Sequence, residues 1–196
     1  MLLNKFKLKN WARLTPAKRQ DVLQKLENKM AKRAGRPAMP ISAVVHDEWS
    51  NFGMFEFASG KAVLHLNVML LSSDKLRFQA LATVLHEGRH CMQHYAAHGD
   101  LSFFEFRAKR WRKNMENYVA SGEDAELYRM QEVERDAQKF AIKKLEKWSY
   151  KFRNEDDFWL VLNNLKRRFE ETEMQAKEKY GKFYRHKIRR KINKRF

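Results

Sequence analysis

Residues 75–97 constrain the fold most. Ser72-Ser73-Asp74 is a helix-capping run and Gly99 a stop, so the pattern between them predicts one helix from 75 to 96 or 97. With Leu85 at zero on a helical wheel, Phe78, Leu81, Ala82 and Met92 fall within about 60° of it and form one apolar stripe. The same helix carries Leu85-His86-Glu87-Gly88-Arg89-His90. His86 and His90 fall near 100° and 140°, flanking the buried stripe where a cleft floor would lie. Histidines four apart project from one side of a helix, so both imidazoles can reach one metal ion and Glu87 can reach a water on it. The competing reading is a surface His-Glu-His row whose ion pairs only stabilise the helix.

The flanking sequence sets the class. In residues 15–34 Thr15 can cap, Pro16 fits the first helical position, and Val22, Leu26, Met30 and Ala34 recur every four residues, predicting an amphipathic helix ended by Gly35 and Pro37. Residues 41–45, 54–57 and 62–66 are short runs rich in β-branched and aromatic residues, separated by Asn51, Gly53, Ser59 and Gly60. They read as a small antiparallel sheet of two to four strands. Further helices are expected over 103–119, 127–148 and 156–179, so the class is α+β. The expected organisation is a basic helical arm (1–40), a core (41–148), a helix packing on that core (149–180) and a basic amphipathic tail (181–196).

Charge separates the ends from the middle. The net charge is +17, and residues 1–40 hold eleven Lys/Arg against two Asp/Glu, residues 181–196 eight against none, while 41–180 balance. Basic ends suit a polyanion such as nucleic acid or an anionic membrane surface. Tyr184, Ile188, Ile192 and Phe196 recur every four residues in the tail, which either tethers such a partner or packs its apolar stripe on the domain. Hydrophobic residues at 43% exclude a mainly disordered chain, and no apolar stretch approaches the roughly 18 residues of a membrane span. Lysines interrupt the N-terminal MLLNKFKLKN, so no signal peptide is expected, and the single Cys91 suits a reducing, cytoplasmic compartment.

Two histidines leave a tetrahedral Zn²⁺ one protein ligand short. A third histidine in the arrangement H-E-x-x-H-x-x-G-x-x-H is absent, because Gln93 and Ala96 occupy the required positions. Cys91 stands beside His90 and points elsewhere, which leaves carboxylates. Among those at 132, 134 and 136, only Glu134 falls inside the edge of the stripe formed by Met130, Val133, Ala137, Phe140, Ala141 and Trp148. Asp136 lies near 100° on the other side and Glu132 roughly 140° away. A carboxylate on an apolar stripe is costly unless paired or metal-bound, so Glu134 is the expected third ligand, with pairing to a buried arginine as the alternative.

These residues resemble the gluzincin-type metallopeptidases of the zincin superfamily, in which an H-E-x-x-H helix is followed by a helix bearing E-x-x-A-x-x-F-A, here Glu134-Arg-Asp-Ala137-Gln-Lys-Phe140-Ala141. They are similar also to compact zincin-like proteins of Gram-positive bacteria and their phages. Those carry H-E-x-R-H continuing to a Gln and then Gln-x-x-E-x-D-A, matched here by Arg89, Gln93, Gln131, Glu134, Asp136 and Ala137. The resemblance covers about residues 41–148. It implies a zinc-dependent peptidase acting on an intracellular protein or peptide, with Zn²⁺ on His86, His90 and Glu134 and with Glu87 as general base. Many gluzincins use Glu-x-x-x-Asp, which would instead select Glu132 with Asp136. The resemblance also implies that a substrate strand pairs with residues 62–67 and that a second oxyanion donor comes from Tyr128, His94 or Arg89.

Other functions remain in play: a nucleic-acid-binding protein on a degenerate scaffold of this kind, or a metallopeptidase toxin or effector of a mobile element. His94 and His98 continue the histidine row but rotate away from the core stripe and are expected to be exposed. His65 is expected on an edge strand, facing cleft or solvent, and the aromatics of Phe103-Phe104-Glu105-Phe106 and Phe158-Trp159 in the core.

Overall fold

A computed structural model of the chain describes residues 2–45, 52–101 and 105–193. After a 3-10 turn over Leu2–Phe6, α1 (Leu8–Trp11) leads into α2 (Pro16–Ala34). The Thr15 hydroxyl accepts from the Lys18 N–H and Gly35, at φ 70°, closes α2 in the left-handed conformation. Three strands follow, β1 (Ile41–Val44), β2 (Gly53–Ala58) and β3 (Lys61–Asn67). β2 and β3 form an antiparallel hairpin over Ser59 and Gly60, both at positive φ, as a two-residue turn with the sheet's twist requires.

The α+β class is as expected, but the sheet is mixed. Its order is β1-β3-β2, and β1 runs parallel to β3, with Ile41 opposite Leu64 and Val44 opposite Asn67. With these strand directions, an all-antiparallel sheet would need β2 between β1 and β3. Instead the more apolar β3, with Ala62, Leu64 and Leu66 buried, takes the centre and leaves β2 as an edge strand.

After α3 (Met69–Ser72), α4 (Arg77–His98) runs through the middle of the molecule and is buried over most of its length. It ends at Gly99 as predicted, but it begins at Arg77 with no side-chain cap, and Asp74, from the expected capping run, is paired with Arg19 instead. Arg77, 1% exposed, donates to the Phe6 carbonyl (3.0 Å), Glu155 (2.6 Å) and Asp157 (2.7 Å), tying the N-terminus to a distant helix. The remaining elements are α5 (Glu105–Glu116), α6 (Ala125–Met130), α7 (Glu132–Trp148), α8 (Asp156–Tyr180) and α9 (Tyr184–Ile192).

The single helix expected over 127–148 is two helices, broken where Gln131 adopts an extended conformation (φ −67°, ψ 153°). Side-chain amides take over the backbone's hydrogen bonds there. Gln131 donates to the Val119 carbonyl (2.9 Å) and accepts from Asn114 (3.2 Å) and the Val119 N–H (3.3 Å), while Asn114 accepts from the Val133 N–H (2.9 Å) and so caps α7 from outside.

The ends belong to the body of the molecule. Phe6, Trp11, Val22, Leu23 and Leu26, from the expected arm, share one core cluster with β3 and α4. Tyr184, Ile188 and Ile192 of α9 are buried against Val119, Leu127, Met130 and Ala176, so the tail packs its apolar stripe on the domain. Phe196 lies outside the described residues, as do Phe103 and Phe104. Phe158 is buried, but Phe106, expected in the core, is 70% exposed and Trp159 is at the surface. No helix among the described residues is long and apolar enough to cross a membrane.

Candidate metal centre

Helix α4 presents His86 and His90 one turn apart, and the break at Gln131 puts Glu134 in the first turn of α7, directly across from them. One ligand atom from each of the three lies within 4.8 Å of the others. His90 Nε2 is 3.0 Å from His86 Nε2 and 3.3 Å from Glu134 Oε1, and His86 Nε2 is 3.3 Å from Glu134 Oε2. Bonds of about 2.0–2.2 Å to nitrogen and oxygen place neighbouring donors of a tetrahedral ion about 3.3–3.5 Å apart, close to these separations, with one Glu134 oxygen turned to each histidine. Glu134 pairs with histidines, not with the buried arginine that was the alternative. Glu132 faces away, bound by Arg110 (3.1 Å) and Arg189 (3.4 Å), and takes no part.

A second layer fixes His90. Its Nδ1 is 2.9 Å from Gln93 Oε1, and the Gln93 amide donates to Asp136 (2.9 Å) and to the Val133 carbonyl (3.0 Å). Asp136 in turn receives two hydrogen bonds from Arg89 (2.7 and 3.2 Å), whose guanidinium packs on the Trp111 and Phe140 rings. A ring nitrogen held this way fixes how the ring is turned and leaves Nε2 as the nitrogen that would face a metal ion. Asp136 thus reaches the ligand histidine through Gln93.

Glu87 is 8% exposed and accepts from the Phe55 N–H of β2 at 2.9 Å. Opposite, Tyr118 donates to Glu134 Oε1 at 2.6 Å. Burial, and then the Glu134 charge, push the Tyr118 and Tyr128 hydroxyls far up, so both remain protonated donors. Burial opposes a charged His90, yet the charge and hydrogen bond of Glu134, with a smaller push from Glu87, raise its pKa to about 9. Burial likewise opposes the Glu134 carboxylate, but His90 first and then His86 hold it well below the usual carboxylate range.

These groups line a cavity of about 570 Å³, walled by β2, α4, the segment after α5, and α7. Its strand is β2 and not residues 62–67, because β3 is central and both its edges are paired. His65 therefore sits on the central strand, 2.6 Å from Glu56. His94, expected to be exposed, is half-buried on the cavity wall with its ring 4.0 Å from that of Phe57, while His98 is exposed. Of the three oxyanion candidates, Tyr128 and His94 line the cavity and Arg89 does not. Sequence reasoning missed Tyr118, which carries no motif spacing and fell inside an expected helix. It also missed the buried Glu27–Arg36 pair (2.6 and 2.9 Å), whose Arg36 donates to the Gly88 carbonyl at 3.2 Å behind the histidines.

No family model, curated protein or solved structure matches this chain.

Proposed function

We propose that the protein is a zinc-dependent hydrolase of peptide bonds. The observation that carries this reading is the convergence, on one cavity, of a two-imidazole, one-carboxylate donor triangle with the Glu87 carboxylate. Two nitrogens and one oxygen, with a fourth position facing a cavity, are the donor set of catalytic zinc sites; structural sites are usually closed. Once bound, the ion supplies Lewis acidity, polarising an amide carbonyl and acidifying water.

The chain's own groups do the rest. The Phe55 N–H holds Glu87 Oε2 and so fixes the carboxylate that receives the water's proton and returns it to the leaving amine. The protonated hydroxyl of Tyr128, on the cavity wall, offers a hydrogen bond to negative charge developing on the carbonyl oxygen, while Tyr118 spends its one proton on holding Glu134. β2, as an edge strand on the cavity wall, offers backbone groups to an extended peptide.

Metal analysis of untagged protein tests the reading. Wild type and Glu132→Ala should hold near one zinc per chain, and Glu134→Ala should lose it. Glu87→Gln should keep the metal and lose cleavage of a peptide library followed by mass spectrometry. No metal in the wild type after zinc is added back would end the hydrolase reading.

A further inference from the structure

A second concavity, about 230 Å³, lies between α5, α7 and α9, on elements whose opposite faces build the metal centre and the core. Cations converge on it from all three helices: Arg107 and Arg110 from α5, Arg135 and Lys139 from α7, Arg185 and Arg189 from α9. Among the described residues two carboxylates line it, and both are engaged. Glu132 is bound by Arg110 and Arg189, and Asp136 by Arg89. Glu173, next to the pocket, is shared by Arg135 and Arg185. Positive charge therefore remains in excess in a concave site, where low-dielectric walls strengthen the field. The buried Nε of Arg189 sits 3.4 Å from Glu132 as an ion pair but completes no hydrogen bond among the described residues.

The class of anion follows from what surrounds the pocket. Membrane binding by an amphipathic helix needs an apolar face to enter the lipid. In α9 that face is spent, because Tyr184, Ile188 and Ile192 are 6%, 2% and 2% exposed. Next to the lining Arg110, Phe106 is 70% exposed, with the guanidinium carbon 5.1 Å from its ring centroid. Guanidinium groups that fork onto phosphate, beside an exposed ring on which a base can stack, are the combination that single-stranded nucleic acid uses. An acidic peptide would use the cations but has no use for the ring.

We infer that the pocket between α5, α7 and α9 binds the phosphate backbone of single-stranded nucleic acid, with Phe106 stacking a base. The inference does not rest on the metal centre, and Glu87→Gln should bind as the wild type does.

Fluorescence anisotropy of the full chain with a labelled 20-mer of oligo(dT), measured across a salt series, tests it. Arg107→Gln with Lys139→Gln should weaken binding at least about fivefold and flatten the salt slope by about 1.4, at ~0.7 per lost phosphate contact. Phe106→Ala should weaken the single strand about five- to a hundredfold and leave a 20-base-pair duplex little changed. Thermal unfolding of each variant checks that the fold is kept. Lys25→Gln with Lys29→Gln, exposed on α2, removes equal charge elsewhere; an equal loss there would overturn the pocket assignment. Competition by polyglutamate as strong as by oligonucleotide at equal charge would overturn the nucleic-acid assignment, as would undetectable binding at low salt.

Discussion

Gln93 makes its weight felt through a single atom. Its Oε1 meets His90 Nδ1, while its amide is spent on Asp136 and Val133, so it cannot swing away without breaking two further bonds. Loss of such an outer partner commonly costs 10–100-fold in metal affinity. Gln93→Leu should therefore weaken zinc binding by about that factor in a chelator competition, with the fold retained. The ligand set itself carries a pH signature in metal-free protein. His90 is raised from its ordinary 6.5 to about 9, so its pairing with Glu134 stabilises the fold fully below about 6.5 and is lost as pH rises through about 9. Glu134 is depressed, so its contribution is present above the ordinary carboxylate range and disappears only in strong acid. Thermal melts in EDTA should give a lower Tm at pH 9.5 than at pH 6 (~pH values bracketing that window), and a flat profile would contradict the pairing.

Elements meet the site from behind as well as in front. Gly88 lies in the helical turn between the two histidines, and a Cβ built there comes within 3.2 Å of both Arg36 Nη2 and Glu27 Oε2. Those atoms form a fully buried ion pair that also receives the Met39 N–H, so it has little room to yield. Gly88→Ala should lower stability by ~1–3 kcal/mol in chemical denaturation, the usual cost of overpacking. The break between α6 and α7 is held by Gln131, and Gln131→Ala should leave the Val119 and Asn114 groups unpaired at a cost of ~1–3 kcal/mol. Because the break also sets where α7 begins, the same variant should reduce zinc retention although residue 131 touches no ligand. Wheel geometry assumed one uninterrupted helix and still chose Glu134, because Glu134, Ala137 and Ala141 lie within α7 beyond the break and keep their relative phase.

Across the molecule, the two basic ends are structural. The first forty residues place Phe6 and Trp11 at 0% exposure, and α9 covers Val119, Leu127 and Met130. A chain ending before Gly181 would expose that patch, next to Tyr118 and Gln131. It should unfold at lower temperature than the full chain and bind a hydrophobic dye; an unchanged melting temperature would show that α9 is dispensable. Charge alone could not foretell this, since a helix rich in arginine and lysine reads the same whether its apolar side is covered or bare.

The sequence by itself determined the features that depend on neighbours along the chain. Helical period fixed His86 and His90 on one side of α4 and phased Glu134 toward the α7 stripe; Gly99 and Thr15 marked helix ends; Ser59-Gly60 marked the hairpin. Tertiary structure decided whatever depends on partners distant in sequence. It placed β3 between β1 and β2, so that β2 and not residues 62–67 lines the cavity. It let Asn114 and the Val119 backbone break a helix at Gln131, brought Tyr118 onto Glu134, and packed His94 against Phe57. Local periodicity encodes which side of an element is apolar. Which other element covers that side is set by competition among all such faces for burial, and no window of neighbouring residues contains that competition.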